Sequence, residues 1–117
     1  MNYLIMLNDG PYGTEKPYNA LRIAMSLQKN FNAKVTIALM GDGVINAVSG
    51  QDTPEGYYNI ERMLKSIIVK KGRVILCTTC MNARGMSGDG LVRGAEKSST
   101  DEIARVIEEE AEKVLVF

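Results

Sequence analysis

An α/β fold of three layers, with a mostly parallel sheet of about five strands and helices on both faces, is what this 117-residue sequence predicts. Three observations carry that reading. Short apolar runs recur at Tyr3–Leu7, Val35–Met40, Val74–Cys77 and Val114–Phe117. They are continuous rather than alternating, as strands covered on both faces are. Amphipathic helical patterns lie between them, and strand, helix, strand, helix, strand, helix, strand is the order of right-handed βαβ units.

The elements follow in order. The first strand, Tyr3–Leu7, runs into Asn8-Asp9-Gly10-Pro11-Tyr12-Gly13-Thr14, whose Gly, Pro and Asn/Asp content reads as a turn. Pro17 marks the start of a helix whose apolar stripe is Ala20, Leu21, Ala24, Leu27 and Phe31. After the second strand, Gly41–Gly56 holds four glycines and Pro54, and reads as a loop with at most a short helix at Val44–Val48. Ile60, Met63, Leu64, Ile67 and Ile68 then repeat at three and four, with Gly72 stopping that helix. Beyond the third strand, Asn82–Ser98 carries Gly85, Gly88, Gly90 and Gly94, with a short fourth strand expected around Leu91–Arg93. Ser99-Thr100-Asp101-Glu102 has the Ser-x-x-Glu spacing of a capping box, ahead of the inward positions Ile103, Val106 and Ile107. No repeat, linker or low-complexity segment interrupts the series, so residues 1–117 form one domain.

Composition narrows the functional classes. Lys+Arg and Asp+Glu are each 14, a formal charge of zero. General nucleic-acid binding needs a basic face to release counterions, and is disfavoured. Zero net charge also removes a brake on self-association. No apolar run approaches the ~20 residues that span a bilayer, and no basic segment precedes an apolar leader. A cytoplasmic protein that does not enter membranes is expected. There is no histidine, which removes Ser–His and Cys–His nucleophile pairs, imidazole proton shuttles and His-ligated metals together.

In an open parallel sheet, reacting groups collect beyond the carboxyl ends of the strands. Here those ends are Asn8–Gly13, Gly41–Gly43 and Cys77–Arg84. Cys77 and Cys80 form the chain's one C-x-x-C. A thiol at a strand end, where the chain turns helical, faces unpaired N–H groups that favour thiolate, and Arg84 is near enough in sequence to add its charge. Such a thiolate could carry sulfane sulfur or exchange with a disulfide; a free cysteine is also often a small packing residue. Structural zinc needs four ligands, and one C-x-x-C supplies two. A thioredoxin-like dithiol has this spacing, but Thr78 and Thr79 replace its aromatic-Gly-Pro surroundings. Neither a Walker nor a dinucleotide glycine pattern is present, so no cofactor is expected. Gly41-Asp42-Gly43 reads either as a tight turn or as an anion-holding loop, a role that Asp42 opposes.

Several segments in series resemble the DsrE/DsrF-like sulfur-relay family, with its TusD-like and YchN-like groups. They are Asn8-Asp9-Gly10-Pro11-Tyr12-Gly13, Pro17–Arg22, Gly41-Asp42-Gly43-Val44, Gly50–Asn59, Met63-Leu64, Cys77–Gly85 and the ending Lys113–Phe117. The resemblance implies a DsrE-like fold of flavodoxin-like topology, assembly into trimers or hexamers, and a cysteine that accepts sulfur as persulfide and passes it on. It matches Cys77 to the persulfide-carrying cysteine of the TusD-like and DsrE members and Cys80 to a cysteine of the YchN-like branch. With the local reading, Cys77 is the expected sulfur-bearing nucleophile, Cys80 the resolving or second thiol, and Arg84 with the helix N-terminus the stabiliser of the thiolate. Gly10, Tyr12 and Gly13 would form the opposite wall, with Met81 and Met86 as apolar flanks. The chain departs from sulfur-relay members in carrying C-x-x-C where they have a single cysteine in an alanine-rich stretch. A sulfurtransferase or persulfide carrier with a donor or acceptor protein is the leading expectation. A dithiol redox protein and a non-enzymatic oligomeric binding protein are the others.

Overall fold

The computed structural model describes residues 1–117. Five strands form one sheet in the order 4-3-2-1-5, and every neighbouring pair is parallel. They are β1 (Asn2–Leu7), β2 (Lys34–Leu39), β3 (Arg73–Cys77), β4 (Glu96–Ser98) and β5 (Lys113–Val116). The helices are α1 (Lys16–Phe31), α2 (Ile60–Val69), α3 (Thr78–Ala83) and α4 (Thr100–Glu109), with a 3-10 helix over Gly41–Ala47. From β1 to β4 the chain steps outward in one direction, and its right-handed crossovers put α1 and α2 on one face. The return from β4 to β5 reverses direction and puts α4 on the other. The arrangement is the doubly wound α/β class expected from the sequence, although its strand order differs from flavodoxin's.

Two cores follow from this winding. The larger packs Ile5, Leu7, Ile37, Leu39, Val74 and Leu76 against Leu21 and Ala24 of α1 and Leu64 and Ile67 of α2. Burying each such side chain contributes roughly 1.5–3 kcal/mol. The smaller core is Leu4, Ala38 and Ile75 under Ile103 and Val106 of α4. Alternate residues of each strand serve alternate faces, so both cores come from the same continuous apolar runs. Helix starts match their sequence signals. Pro17 sits in the first turn of α1; the Asn59 and Ser99 side chains accept the Arg62 and Glu102 amides, at 3.0 Å each, at the starts of α2 and α4.

Two expectations are corrected. The fourth strand is Glu96–Ser98 rather than Leu91–Arg93. Val92 plugs the larger core, and Leu91 forms a lone antiparallel bridge with Val48. At the end of α2 the left-handed residue is Lys71 (φ 71°), not Gly72. Glycine is required at 72 for space: a Cβ there would stand 2.5 Å from Ile67 Cγ2 and 2.7 Å from its carbonyl oxygen.

Candidate functional site

The strands end level with one another. Leu7 pairs with Leu39 and Leu39 with Leu76, while Cys77 pairs with Ser98. The segments after β1, β2 and β3 therefore rise from one edge, where parallel α/β sheets hold their sites. Gly43 brings the 3-10 helix down onto the end of β1. A Cβ at this position would lie 2.1 Å from the Leu7 carbonyl oxygen, so no other residue fits without moving backbone. Asn46 is fully buried, and its Nδ2 donates to the carbonyls of Asp9 and Gly43, both at 2.9 Å. That amide ties the loop after β1 to the segment after β2.

Cys77 is the last residue of β3 and caps α3. Its side chain is 3 % exposed, and its sulfur accepts the Cys80 amide at 3.3 Å. Cys80, one turn on, is half-buried, and the two sulfurs stand 2.7 Å apart, both as free thiols. Burial, followed by the hydrogen bond with Cys80, pushes the Cys77 thiol above its ordinary range. Cys80 moves the other way. The hydrogen bond with Cys77 is the largest cause and, together with the Gly41 amide and the Arg84 charge, it outweighs partial desolvation. Of the two, Cys80 is therefore the more readily ionised sulfur.

Arg84 follows α3 and reaches two ways. Its Nε donates to Asp42 Oδ1 at 2.9 Å, its Nη2 pairs with the same oxygen at 2.8 Å, and its Nη1 donates to the Cys80 carbonyl at 3.0 Å. The 3-10 helix thereby contributes both the Gly41 amide and the Asp42 carboxylate to the surroundings of Cys80. The thiols have no third His, Cys, Asp or Glu with them to complete a metal-ligand set. What the arrangement can do is sulfur chemistry: one sulfur poised as thiolate, a second beside it, and a fixed cation.

The other residues singled out in the sequence separate. Gly10 lies against Asp42, whose carbonyl oxygen would be 3.4 Å from a Cβ at position 10. Tyr12 turns toward α2 instead: its hydroxyl meets Gln51 and accepts the Ile60 amide at 3.1 Å. Its ring stacks on Tyr58, which stacks in turn on Tyr18, with centroids 5.6 and 4.1 Å apart. Gly13 faces open space. Met81 is not a flank of any opening; it is sealed in the larger core, because α3 points that side down onto the sheet. Met86 packs half-buried at the margin of the same core. Sequence reasoning missed Gly41 as an influence on the Cys80 thiol and Asn46 as an anchor. Gly41-Asp42-Gly43 was visible as a motif, but only the fold shows what it faces.

The family model described as the DsrE/DsrF-like family matches residues 1–117. The protein YchN of Escherichia coli strain K12 is 37% identical over 115 residues, covering 97% of each chain. The crystal structure of YchN from E. coli superposes with a TM-score of 0.89 at 35% identity, covering all of both chains. The structure of MTH1491 from Methanobacterium thermoautotrophicum shares the fold, with a TM-score of 0.74 at 14% identity over 97% of each chain.

Proposed function

We propose that this chain, which belongs to the DsrE/DsrF-like family, is a persulfide sulfur carrier in which Cys80 bears the sulfur and Cys77 assists it. The observation that carries this reading is the division of labour between the thiols. Cys77 is buried and held protonated, and Cys80 is half-exposed with its thiol driven toward thiolate. The roles are thus exchanged relative to those implied by the sequence resemblance. In the loading step the Cys80 thiolate attacks the outer sulfur of a donor R–S–S–H. A Cys80 Sγ–S bond forms, the donor S–S bond breaks, and R–S⁻ leaves with its electron pair. Cys77 supplies a hydrogen bond to the anionic sulfur, and Arg84 holds the loop through the Cys80 carbonyl. Incubation with a sulfane donor followed by intact mass tests this. Wild type and Cys77→Ser gain one sulfur atom and Cys80→Ser gains none; a sulfur retained by Cys80→Ser alone defeats the assignment.

The close approach of the two sulfurs also favours dithiol exchange. Treatment with an organic disulfide R–S–S–R then yields the internal disulfide and two R–SH, read as the loss of two hydrogens and both free thiols. A stable mixed adduct on Cys80 counts against it. The reading includes self-assembly into trimers or hexamers, a donor or acceptor protein, and a cytoplasmic setting. No helix is long and apolar enough to cross a membrane. Val114 and Val116 of the edge strand β5 are 41% and 63% exposed on the face that α4 covers only in part, which supports assembly.

A further inference from the structure

We propose that Asp42 is a specificity residue that turns the Cys80 site away from anionic sulfur donors and toward uncharged ones. The inference rests on Cys80 being the reacting sulfur and extends that reading to its substrate class.

Arg84 is the cation beside the thiols, and both its Nε and Nη2 are committed to a single oxygen of Asp42. The Asp42 side chain is 67% exposed and that of Arg84 29%, so the carboxylate is the more open partner of the pair to an approaching group. With Cys80 ionised, the three charges leave one net negative at the mouth of the site. An anion such as thiosulfate is repelled by that field, whereas an uncharged persulfide is not. Stability gives little reason for the pair, because exposed ion pairs contribute only about 0–1 kcal/mol. Position gives a better one: Asp42 stands between Gly41, whose amide helps lower the Cys80 thiol, and Gly43, which admits no side chain. The same thiolate would react with either donor. With thiosulfate, Sγ bonds to the outer sulfur and sulfite leaves; with R–S–S–H, R–S⁻ leaves.

Iodoacetate and iodoacetamide test the field directly, since the thiolate displaces iodide from both and only the reagent's charge differs. The rates at Cys80 are read by peptide mass spectrometry, and their ratio cancels the thiolate fraction. Asp42→Asn is expected to raise the iodoacetate-to-iodoacetamide ratio roughly fivefold or more at low salt. The gain disappears in about 1 M salt, where the screening length is about 3 Å, and when Arg84→Gln is added. An unchanged ratio in Asp42→Asn overturns the proposal. Wild type alone gives a second reading: its iodoacetate rate rises with salt while its iodoacetamide rate stays level, and a fall in the iodoacetate rate overturns the proposal. Thiosulfate and an uncharged alkyl persulfide are then compared as donors. A filter that acts on the alkylating reagents while neither donor loads sulfur removes the carrier reading and leaves the charge filter standing.

Discussion

Glu61 shows how single residues support this site from outside it. It is a buried carboxylate whose Oε1 accepts the Gly50 and Gln51 amides at 2.9 and 2.8 Å, while its Oε2 meets Lys65 at 3.2 Å. Burial pushes its carboxyl up, but the Gln51 amide, Lys65 and the Gly50 amide together outweigh burial and hold it below the usual range. A lowered folded-state value means that its contribution is complete above the ordinary glutamate range and is lost as pH falls through the folded value. Glu61→Ala is expected to destabilise the protein by about 2–3 kcal/mol in urea titrations at neutral pH. Glu61→Gln should flatten the acid limb of stability against pH, and an unchanged acid limb refutes this role. Candidate chemistry at this scale was legible in part. A chain with two cysteines and no histidine leaves few reactive groups, so Cys77, Cys80 and Arg84 stood out. Which sulfur ionises was not legible, because it depends on burial and on an amide 39 positions away in the chain, that of Gly41.

Elements became legible wherever burial wrote a pattern into the sequence. The runs at β1, β2 and β3 are continuous because neighbours cover both sides, and the stripes of α1 and α2 face one core except at Phe31, which ends α1 in solvent. The run of β5 leaves Val114 and Val116 exposed on one face. The exception is instructive: β4 is Glu96-Lys97-Ser98, an edge strand with no apolar residue. It pairs through backbone, and the Thr78 hydroxyl donates to the Ser98 carbonyl at 2.7 Å. The apolar residues that suggested a strand nearby, Leu91 and Val92, serve the core from a loop. The 3-10 helix was half visible: a short helix was expected at Val44–Val48, but it runs over Gly41–Ala47, because Gly41 and Gly43 read as a loop although the second packs against the end of β1. Gly43→Ala is expected to cost about 2–3 kcal/mol, because its methyl must displace the Leu7 backbone. By shifting the Gly41 amide it should also raise the pH midpoint of Cys80 alkylation. Loss of stability with an unmoved midpoint would separate the 3-10 helix from the thiol's electrostatics.

At the scale of the whole molecule, the winding gives its two faces unequal cover. One carries α1 and α2 over a large core, and the other carries α4 alone over a small one. The uncovered part, with Val114 and Val116 on the outermost strand, is the surface expected to meet another copy. Sedimentation should report a trimer or hexamer for wild type, and Val116→Lys should shift it toward smaller species; a wild-type monomer at high concentration ends this expectation. The doubly wound class was legible from the alternation of runs and stripes, but the direction of each crossover, and hence which face is thin, is set by topology rather than by any local pattern. The stacked rings of Tyr12, Tyr58 and Tyr18 bind the loop after β1 to α1 and to the segment that leads into α2. Because the chain contains no tryptophan, its ultraviolet emission comes from tyrosine, and three of its five emitters sit in that ladder. Any event that lifts the loop from the helices should therefore announce itself optically, without a dye or label.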